Sequence, residues 1–200
     1  IEKKLSAIIQ TYLPGNYGGL ALANILAGLE NPSGKLPYTY PRYVNALTNY
    51  IHKYSDEQVN PQGAYDYSAD YNPQFDFGFG LSYTSFEYSD LTINKKSFGP
   101  DETLKVSVKV RNTGKRWGKE VVEVFVSDLF ASLAPDVKRL RAFEKIALEP
   151  GAEKIVEMTI PVSDLSFVGP DNKRILEKGS FRLTVGSQQK EFEIKATKKF

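Results

Sequence analysis

The chain has 200 residues, of which 41% are hydrophobic and 25% are charged, and its formal net charge at neutral pH is +2. This balance is typical of a chain that buries a core, and it excludes an intrinsically disordered or collagen-like protein. The absence of cysteine excludes disulfides, thiolate nucleophiles and Cys-ligated zinc, and a single histidine is too few for a His-rich metal site.

Neither a membrane nor a nucleic acid is expected as a partner. No stretch approaches the roughly 18 apolar residues that a membrane span requires. Residues 95–200 carry 21 Lys and Arg against 15 Asp and Glu, but the lysines alternate with glutamates, as on a solvated sheet surface. The chain begins at Ile1 without a recognisable leader, so we expect a processed or truncated chain.

The N-terminal residues predict a strand, a turn and a helix. Residues 6–13 form a short apolar run that stops at Pro14-Gly15, a turn signal. In the following segment, GGLALANILAG, small and apolar residues recur at helical spacing. The helix is predicted to end at Gly28, because glycine is favoured directly after the last helical turn.

A stretch of about forty residues, from Tyr38 to Asp76, shows no period of two or 3.6 residues. Loops of this length are uncommon in compact domains unless they are functional, disordered or linking. Eight of the twelve tyrosines fall in this stretch, whereas disordered linkers are poor in aromatic residues. We therefore expect an ordered loop that lies over another surface.

Seven predicted strands follow the loop. In the second of them Leu104, Val106, Val108 and Val110 alternate with polar residues, as in a half-buried strand. The seven segments are residues 86–93, 104–112, 120–128, 137–148, 154–161, 180–186 and 190–196. Seven short strands without helical pattern between them are typical of an antiparallel β-sandwich of immunoglobulin or fibronectin type III kind. The absence of the cysteine pair of antibody domains favours the second kind.

Four motifs carry a resemblance to a known family. They are PGNYGGLALANILAGLENPSGKLPYTYPR (14–42), FGFGLSYTSFEYSDL (77–91), VRNTGKRWGKEVVEVFVSD (110–128) and RLRAFEKIALEPGAEKIVEMTI (139–160). In this order they resemble the C-terminal part of the family 3 glycoside hydrolases of β-glucosidase type. The resemblance implies a parent enzyme with a TIM-like barrel, then an α/β sandwich domain, then a fibronectin type III-like domain.

The resemblance also divides the chain into three parts. Residues 1–37 correspond to a C-terminal remnant of the α/β sandwich domain, 38–85 to the long loop or linker, and 86–200 to the fibronectin type III-like domain. The expected fold class is mainly β: an antiparallel β-sandwich preceded by the terminal strand and helix of an α/β sandwich domain and by a long Tyr-rich loop.

The resemblance places the catalytic residues outside this chain. A retaining glycosidase needs two carboxyl groups about 5–5.5 Å apart, one as nucleophile and one as acid/base. In the family the nucleophilic Asp comes from the barrel, and the acid/base Glu comes from a part of the α/β sandwich domain that precedes the PGNYGG motif. We therefore expect no catalytic residue, cofactor or metal site in this chain, and no activity from it alone.

Three tyrosines of the loop are candidates for contact with substrate. Tyr65, Tyr67 and Tyr71 are suited to form a stacking platform, because an aromatic ring fits the apolar face of a pyranose. Alternatively, the three tyrosines pack against a neighbouring domain and do not contact substrate. Asp66 and Asp70 are most simply solvated loop carboxylates.

Two interpretations of function stay open at this point. In the first, the chain is the non-catalytic C-terminal portion of a periplasmic or secreted enzyme that removes terminal β-linked sugars. Its partners are then the barrel and α/β sandwich domains of the same enzyme. In the second, the chain is a stand-alone carbohydrate-binding or protein-interaction β-sandwich. An upstream barrel carrying the nucleophilic Asp would separate the two.

Overall fold

The computed structural model describes residues 4–42, 44, 49–51 and 73–200. Within them one α-helix, α1 (Gly18–Leu26), precedes eleven strands. The strands are β1 (Phe86–Ile93), β2 (Ser97–Phe98), β3 (Thr103–Asn112), β4 (Gly118–Asp128), β5 (Arg139–Leu148), β6 (Glu153–Pro161), β7 (Phe167–Val168), β8 (Arg174–Leu176), β9 (Gly179–Val185), β10 (Gln188–Ile194) and β11 (Lys198–Lys199). A 3-10 helix, Val162–Leu165, links β6 to β7.

The predicted helix forms and ends where expected. Its last turn is closed by the Ala27 N–H, which donates to the Ala23 carbonyl at 2.9 Å. Gly28 follows with a φ of +71°, a left-handed conformation that glycine adopts without steric cost. The end of the helix is therefore set by a single glycine.

The predicted strand at residues 6–13 is wrong. These residues are exposed and form no strand ladder with any described residue. A strand exists only through hydrogen bonds to a neighbouring strand, and the described part of the chain offers none here. Their apolar side chains, among them Ile8 and Ile9, are instead left on the surface.

The strands after residue 86 form two main sheets and a small third one. One sheet has the order β1-β3-β6, the second β2-β10-β9-β4-β5, and the third β11-β8-β7. All pairings are antiparallel except that of β2 with β10. The predicted sandwich and all seven of its predicted strands are confirmed. The strands that the sequence did not predict, β2, β7, β8 and β11, have only two or three residues each, too few to show alternation.

The core lies between the two main sheets. The four alternating residues of β3, from Leu104 to Val110, are at most 1% exposed, and in the register with β6 Val108 pairs with Val156. In the other sheet the Phe192 ring contacts the rings of Phe98 and Phe181, with centroids 5.6 Å apart in both pairs. Among the described residues every member of the hydrophobic core lies between Leu91 and Ile194.

A buried amide joins the turns at one end of the sandwich. Asn112, at the end of β3, is 0% exposed. Its Nδ2 donates to the carbonyls of Arg116 (2.8 Å) and Leu148 (3.0 Å). Its Oδ1 accepts from Thr84 Oγ1 (2.7 Å) and from the Gly114 N–H (3.1 Å). The side chain is fully paired, as a buried polar group must be to avoid a desolvation cost.

We predict that Asn112→Ala lowers the free energy of unfolding by about 2–4 kcal/mol, because it removes four hydrogen bonds and leaves buried groups without partners. Thermal unfolding followed by circular dichroism measures the effect. Gln189→Ala, at an exposed strand position, is the matched amide control and should change stability by less than about 0.5 kcal/mol. Equal melting temperatures for the two variants would contradict the role given to Asn112.

Candidate functional site

The Tyr-rich loop begins and ends in two segments that pair with each other. We call these segments, residues 28–42 and 73–85, the loop base. The Leu36 N–H donates to the Phe79 carbonyl and the Gly78 N–H donates to the Leu36 carbonyl, both at 2.9 Å. Further along, the Tyr40 N–H donates to the Phe75 carbonyl at 2.8 Å. The two ends of the loop are therefore held side by side.

A row of five aromatic rings links Tyr12 to the loop base. Neighbouring ring centroids are 5.1–6.2 Å apart, within the range of favourable aromatic pairs. The rings belong, in order of contact, to Tyr12, Tyr38, Tyr40, Phe75 and Phe79. Tyr12, Tyr38 and Phe79 are each 40–50% exposed. The row therefore presents a part-exposed aromatic surface that the sequence analysis did not identify.

A second aromatic group packs the loop onto the sandwich. The Tyr50 ring stacks on the Phe77 ring with centroids 4.2 Å apart. Each of these rings also makes a T-shaped contact with the ring of Phe125 on β4, with centroids 6.1 Å apart. Lys138 Nζ lies 4.6 Å from the centre of the Phe125 ring. The Val137 N–H also donates to the Ile51 carbonyl at 3.0 Å. At residues 50 and 51, then, the loop lies over the sandwich surface.

A half-buried ion pair joins the loop base to β4. Lys35 Nζ lies 3.2 Å from Glu120 Oε2 and donates to the Gly80 carbonyl at 3.0 Å. The Tyr88 hydroxyl donates to Glu120 Oε1 at 3.0 Å, and burial together with the Glu120 charge raises the pKa of Tyr88. A buried carboxylate is costly unless it is paired, so the position of Lys35 is tied to that of Glu120.

Glu123 makes a second contact between β4 and the loop base. Gly78 has a φ of +80°, and a Cβ at this residue would lie 2.5 Å from Glu123 Oε2. Burial raises the pKa of the Glu123 carboxyl, against the opposing effect of Lys35 and Lys138. The positive φ favours glycine at position 78, and any larger residue would also require the Glu123 carboxylate to move.

Asn31 and Arg116 attach the loop base to the turn between β3 and β4. Asn31 Oδ1 accepts from Ser82 Oγ and from the Tyr83 N–H, both at 2.8 Å, and its Nδ2 donates to the Trp117 carbonyl at 2.8 Å. Arg116 Nη1 donates to the carbonyl of Gly28 at 3.1 Å. These bonds connect residues that are more than fifty positions apart in the sequence.

The described residues contain no group of three or more His, Asp or Glu side chains placed to hold a metal ion. No helix among them is long and apolar enough to cross a bilayer. The ionic groups at the loop base, Lys35, Glu120 and Glu123, are packed against the backbone that they hold in place.

Two family profiles match the chain. The glycosyl hydrolase family 3 C-terminal domain matches residues 1–83, and the fibronectin type III-like domain matches residues 120–189. The periplasmic beta-glucosidase of Salmonella typhimurium is 38% identical over 191 residues, 92% of this chain and 25% of that protein. The beta-xylosidase of Formosa agariphila is 36% identical over 195 residues, 98% of this chain and 27% of the relative.

A solved structure agrees with these relatives. The crystal structure of beta-glucosidase from Listeria innocua in complex with glucose superposes with a TM-score of 0.84 at 30% identity. The superposition covers 92% of this chain and 27% of the Listeria chain. The chain belongs to glycoside hydrolase family 3. It matches the C-terminal region of this family, as the sequence motifs predicted, and it spans about a quarter of the length of the curated relatives.

The family 3 profile spans the N-terminal helix and the loop base up to residue 83. Of the residues predicted to contact substrate, Tyr65, Tyr67 and Tyr71 lie outside the described residues, as do Asp66 and Asp70. Their role therefore stays a prediction.

The sequence analysis missed two features of this family 3 chain, the ion pair of Lys35 with Glu120 and the hydrogen bonds of Asn31. A signal for the first was present. Glu120 interrupts the inward-facing series of β4 between the buried Gly118 and Val122, and a charge at an inward position needs a partner.

Proposed function

We propose that this chain is the non-catalytic C-terminal portion of a retaining family 3 glycosidase of β-glucosidase type, which removes terminal β-linked sugars. The relatives named beta-glucosidase and beta-xylosidase support this reaction class. In this proposal the chain holds the Tyr-rich loop at the catalytic cleft of the parent enzyme, and it supplies neither the nucleophile nor the acid/base.

The observation that carries the proposal is an apolar surface on the N-terminal residues. Seven large aliphatic side chains there are 41–98% exposed: Leu5, Ile8, Ile9, Leu13, Leu20, Leu26 and Leu29. Exposed apolar surface of this density marks an interaction site, since its burial contributes about 25 cal/mol per Å². All seven lie in the segment that matches the family 3 profile. In this proposal the rest of the α/β sandwich domain packs against this apolar surface and buries it.

Export of the parent enzyme is part of the proposal. The Salmonella relative is named a periplasmic enzyme, and cysteine-free chains are common among exported proteins as well as internal ones. We propose a periplasmic or secreted location, which cell fractionation of the native host would test. Recovery of the parent enzyme only with cytoplasmic markers would contradict it.

The division of the chain is also proposed: residues 1–37 as part of the α/β sandwich domain, 38–85 as loop, and 86–200 as an independent sandwich. The position of the described hydrophobic core, between Leu91 and Ile194, supports it. We predict that deletion of residues 1–75 leaves a cooperative thermal transition in circular dichroism, because no core residue is removed. A non-cooperative melt of the shortened chain would contradict the boundary.

The central experiment combines two separately produced chains. We predict that the 200-residue chain alone does not hydrolyse aryl β-glucosides, and that mixing it with the upstream part of the same gene product, expressed separately, restores turnover. The apolar surface should bind the missing part of the α/β sandwich domain, so Leu20→Lys with Leu26→Lys should abolish the restored activity.

Two results would contradict this proposal. One is turnover by the 200-residue chain alone that survives purification. The other is restored activity of equal size for the double Lys variant, with circular dichroism showing that it is folded. Lys substitution of Phe143, a large apolar residue that is 66% exposed on β5, is the matched control and should leave the restored activity unchanged.

The proposed role of the loop tyrosines is positional. In the parent enzyme we predict that replacing Tyr65, Tyr67 and Tyr71 together by Ala raises KM several-fold or changes the preference among glycosides. The catalyst should stay folded and active, because neither catalytic carboxyl group is touched. Steady-state kinetics on several aryl glycosides measure the effect. Unchanged kcat/KM for every glycoside together with a lower melting temperature would instead assign the tyrosines to packing between domains.

A further inference from the structure

The helix α1 contacts the rest of the described chain without burying any of its large side chains. Of its nine residues, GGLALANIL, only Gly18 is buried, and Leu20 and Leu26 are 64% and 69% exposed. Isolated helices shorter than about 12–15 residues are marginal in water, and most helices in proteins are stabilised by packing of an apolar face. Burial of an apolar face on the sandwich therefore does not account for the position of α1.

Two side chains from outside the helix bind carbonyl groups at its C-terminal end. Arg116 Nη1 donates to the Gly28 carbonyl at 3.1 Å, and the Tyr83 hydroxyl donates to the Ile25 carbonyl at 3.0 Å. The last carbonyls of a helix have no partner within the helix and carry a partial negative charge, so a cation beside them is stabilising. The helix contains no charged residue of its own. Arg116 supplies the cation from the turn between β3 and β4.

Arg116 is itself held at its backbone and at its side chain. Its carbonyl accepts from Asn112 Nδ2 at 2.8 Å, which fixes the turn. Its guanidinium carbon lies 5.7 Å from the centre of the Tyr83 ring, and cation–π contacts extend to about 6 Å. A Cβ at Gly28 would lie 3.1 Å from Arg116 Nη1, so the glycine that ends α1 also leaves room for the guanidinium. The side chain of Arg116 therefore reaches α1 from a fixed backbone.

These contacts join two of the proposed domains. Under the proposed division of the chain α1 belongs to the α/β sandwich domain and Arg116 to the fibronectin type III-like domain, so the inference rests on the proposed function. The family resemblance places the acid/base Glu of the parent enzyme in the same α/β sandwich domain as α1. A retaining enzyme needs this Glu about 5–5.5 Å from the nucleophile, so the orientation of the domain that carries it matters for the reaction.

We propose that Arg116 is a positioning residue of the parent enzyme. By binding the end of α1, its guanidinium holds the α/β sandwich domain in the orientation that places the acid/base at the leaving group. Arg116 acts through α1 and contacts neither the substrate nor a catalytic carboxyl group. Because the backbone of Arg116 and not its side chain binds Asn112, substitution of the side chain should leave the sandwich folded.

Hydrogen exchange in the 200-residue chain tests the contact directly. The amides of residues 27–29 close the end of α1. We predict that Arg116→Ala raises their exchange rates about fivefold or more, because the helix end loses a hydrogen bond from a charged donor. The amides of β3 and β4 should exchange as before. Arg182→Ala is the control, since Arg182 is paired with Glu191 on β10. Unchanged exchange at residues 27–29 in the folded Arg116→Ala variant would overturn the proposal.

The dependence on the leaving group tests the positioning role in the parent enzyme. Departure of a poor leaving group such as phenolate needs a proton from the acid/base, whereas 2,4-dinitrophenolate departs without it. We predict that Arg116→Ala lowers kcat/KM for phenyl β-glucoside at least about tenfold more than for 2,4-dinitrophenyl β-glucoside. Arg116→Lys keeps a cation near the Gly28 carbonyl and should restore most of the loss.

The kinetic outcomes separate positioning from stability and from the proposed function. An equal loss for both glycosides, or no loss for either, would overturn the positioning role, because a variant that is only less stable loses both activities alike. Arg182→Ala should leave both kcat/KM values unchanged. A parent enzyme that hydrolyses neither glycoside would contradict the proposed function and the positioning role with it, while hydrogen exchange would still decide whether Arg116 holds α1.

Discussion

The hydrogen bonds of the Asn112 side chain determine how the ends of several strands meet. Asn112 closes β3, and its amide reaches the turn that leads into β4, the end of β5 and the residue Thr84 that precedes β1. A buried amide is costly unless it is paired, and these four hydrogen bonds hold the surrounding turns in place. Asn31 and Arg116 then bind the loop base to the same turn. The position of the loop base is therefore set by the sandwich.

The loop base is attached to the β-sandwich by three kinds of contact. Backbone pairing brings the two ends of the loop together, the Lys35–Glu120 pair ties them to β4, and aromatic contacts pack residue 50 on the sheet surface. The backbone hydrogen bonds set the distance between the two segments, the Lys35–Glu120 pair attaches them to one point on β4, and the aromatic contacts pack residue 50 against the sheet. A base held by several independent contacts fixes where the chain enters and leaves the loop.

The sequence predicted the elements whose signal is local. The alternation from Leu104 to Val110 identified β3, and Gly28 identified the end of α1. The short strands β7, β8 and β11 escaped because their pairing comes from the tertiary structure and not from their own pattern. At residues 6–13 a strand was predicted that is not formed. An apolar run indicates burial, but a strand also needs a neighbouring strand to pair with. The contacts of Lys35 and Asn31 join residues far apart in sequence. The inward position of Glu120 on β4 indicates that this carboxylate needs a partner, but no local pattern identifies Lys35 as that partner.

The pairing of Tyr40 with Phe75 has a consequence for how family 3 enzymes can diverge. Because the chain enters and leaves the loop at the same point, residues can be added or removed after Ile51 and before position 73 without moving the sandwich. The entropic cost of closing a flexible loop grows only slowly with length, by roughly 0.6 kcal/mol for each doubling. At position 78, by contrast, the φ of +80° disfavours any residue other than glycine. Insertions and deletions should therefore accumulate within the loop among family members, while the length and pairing of its base stay constant.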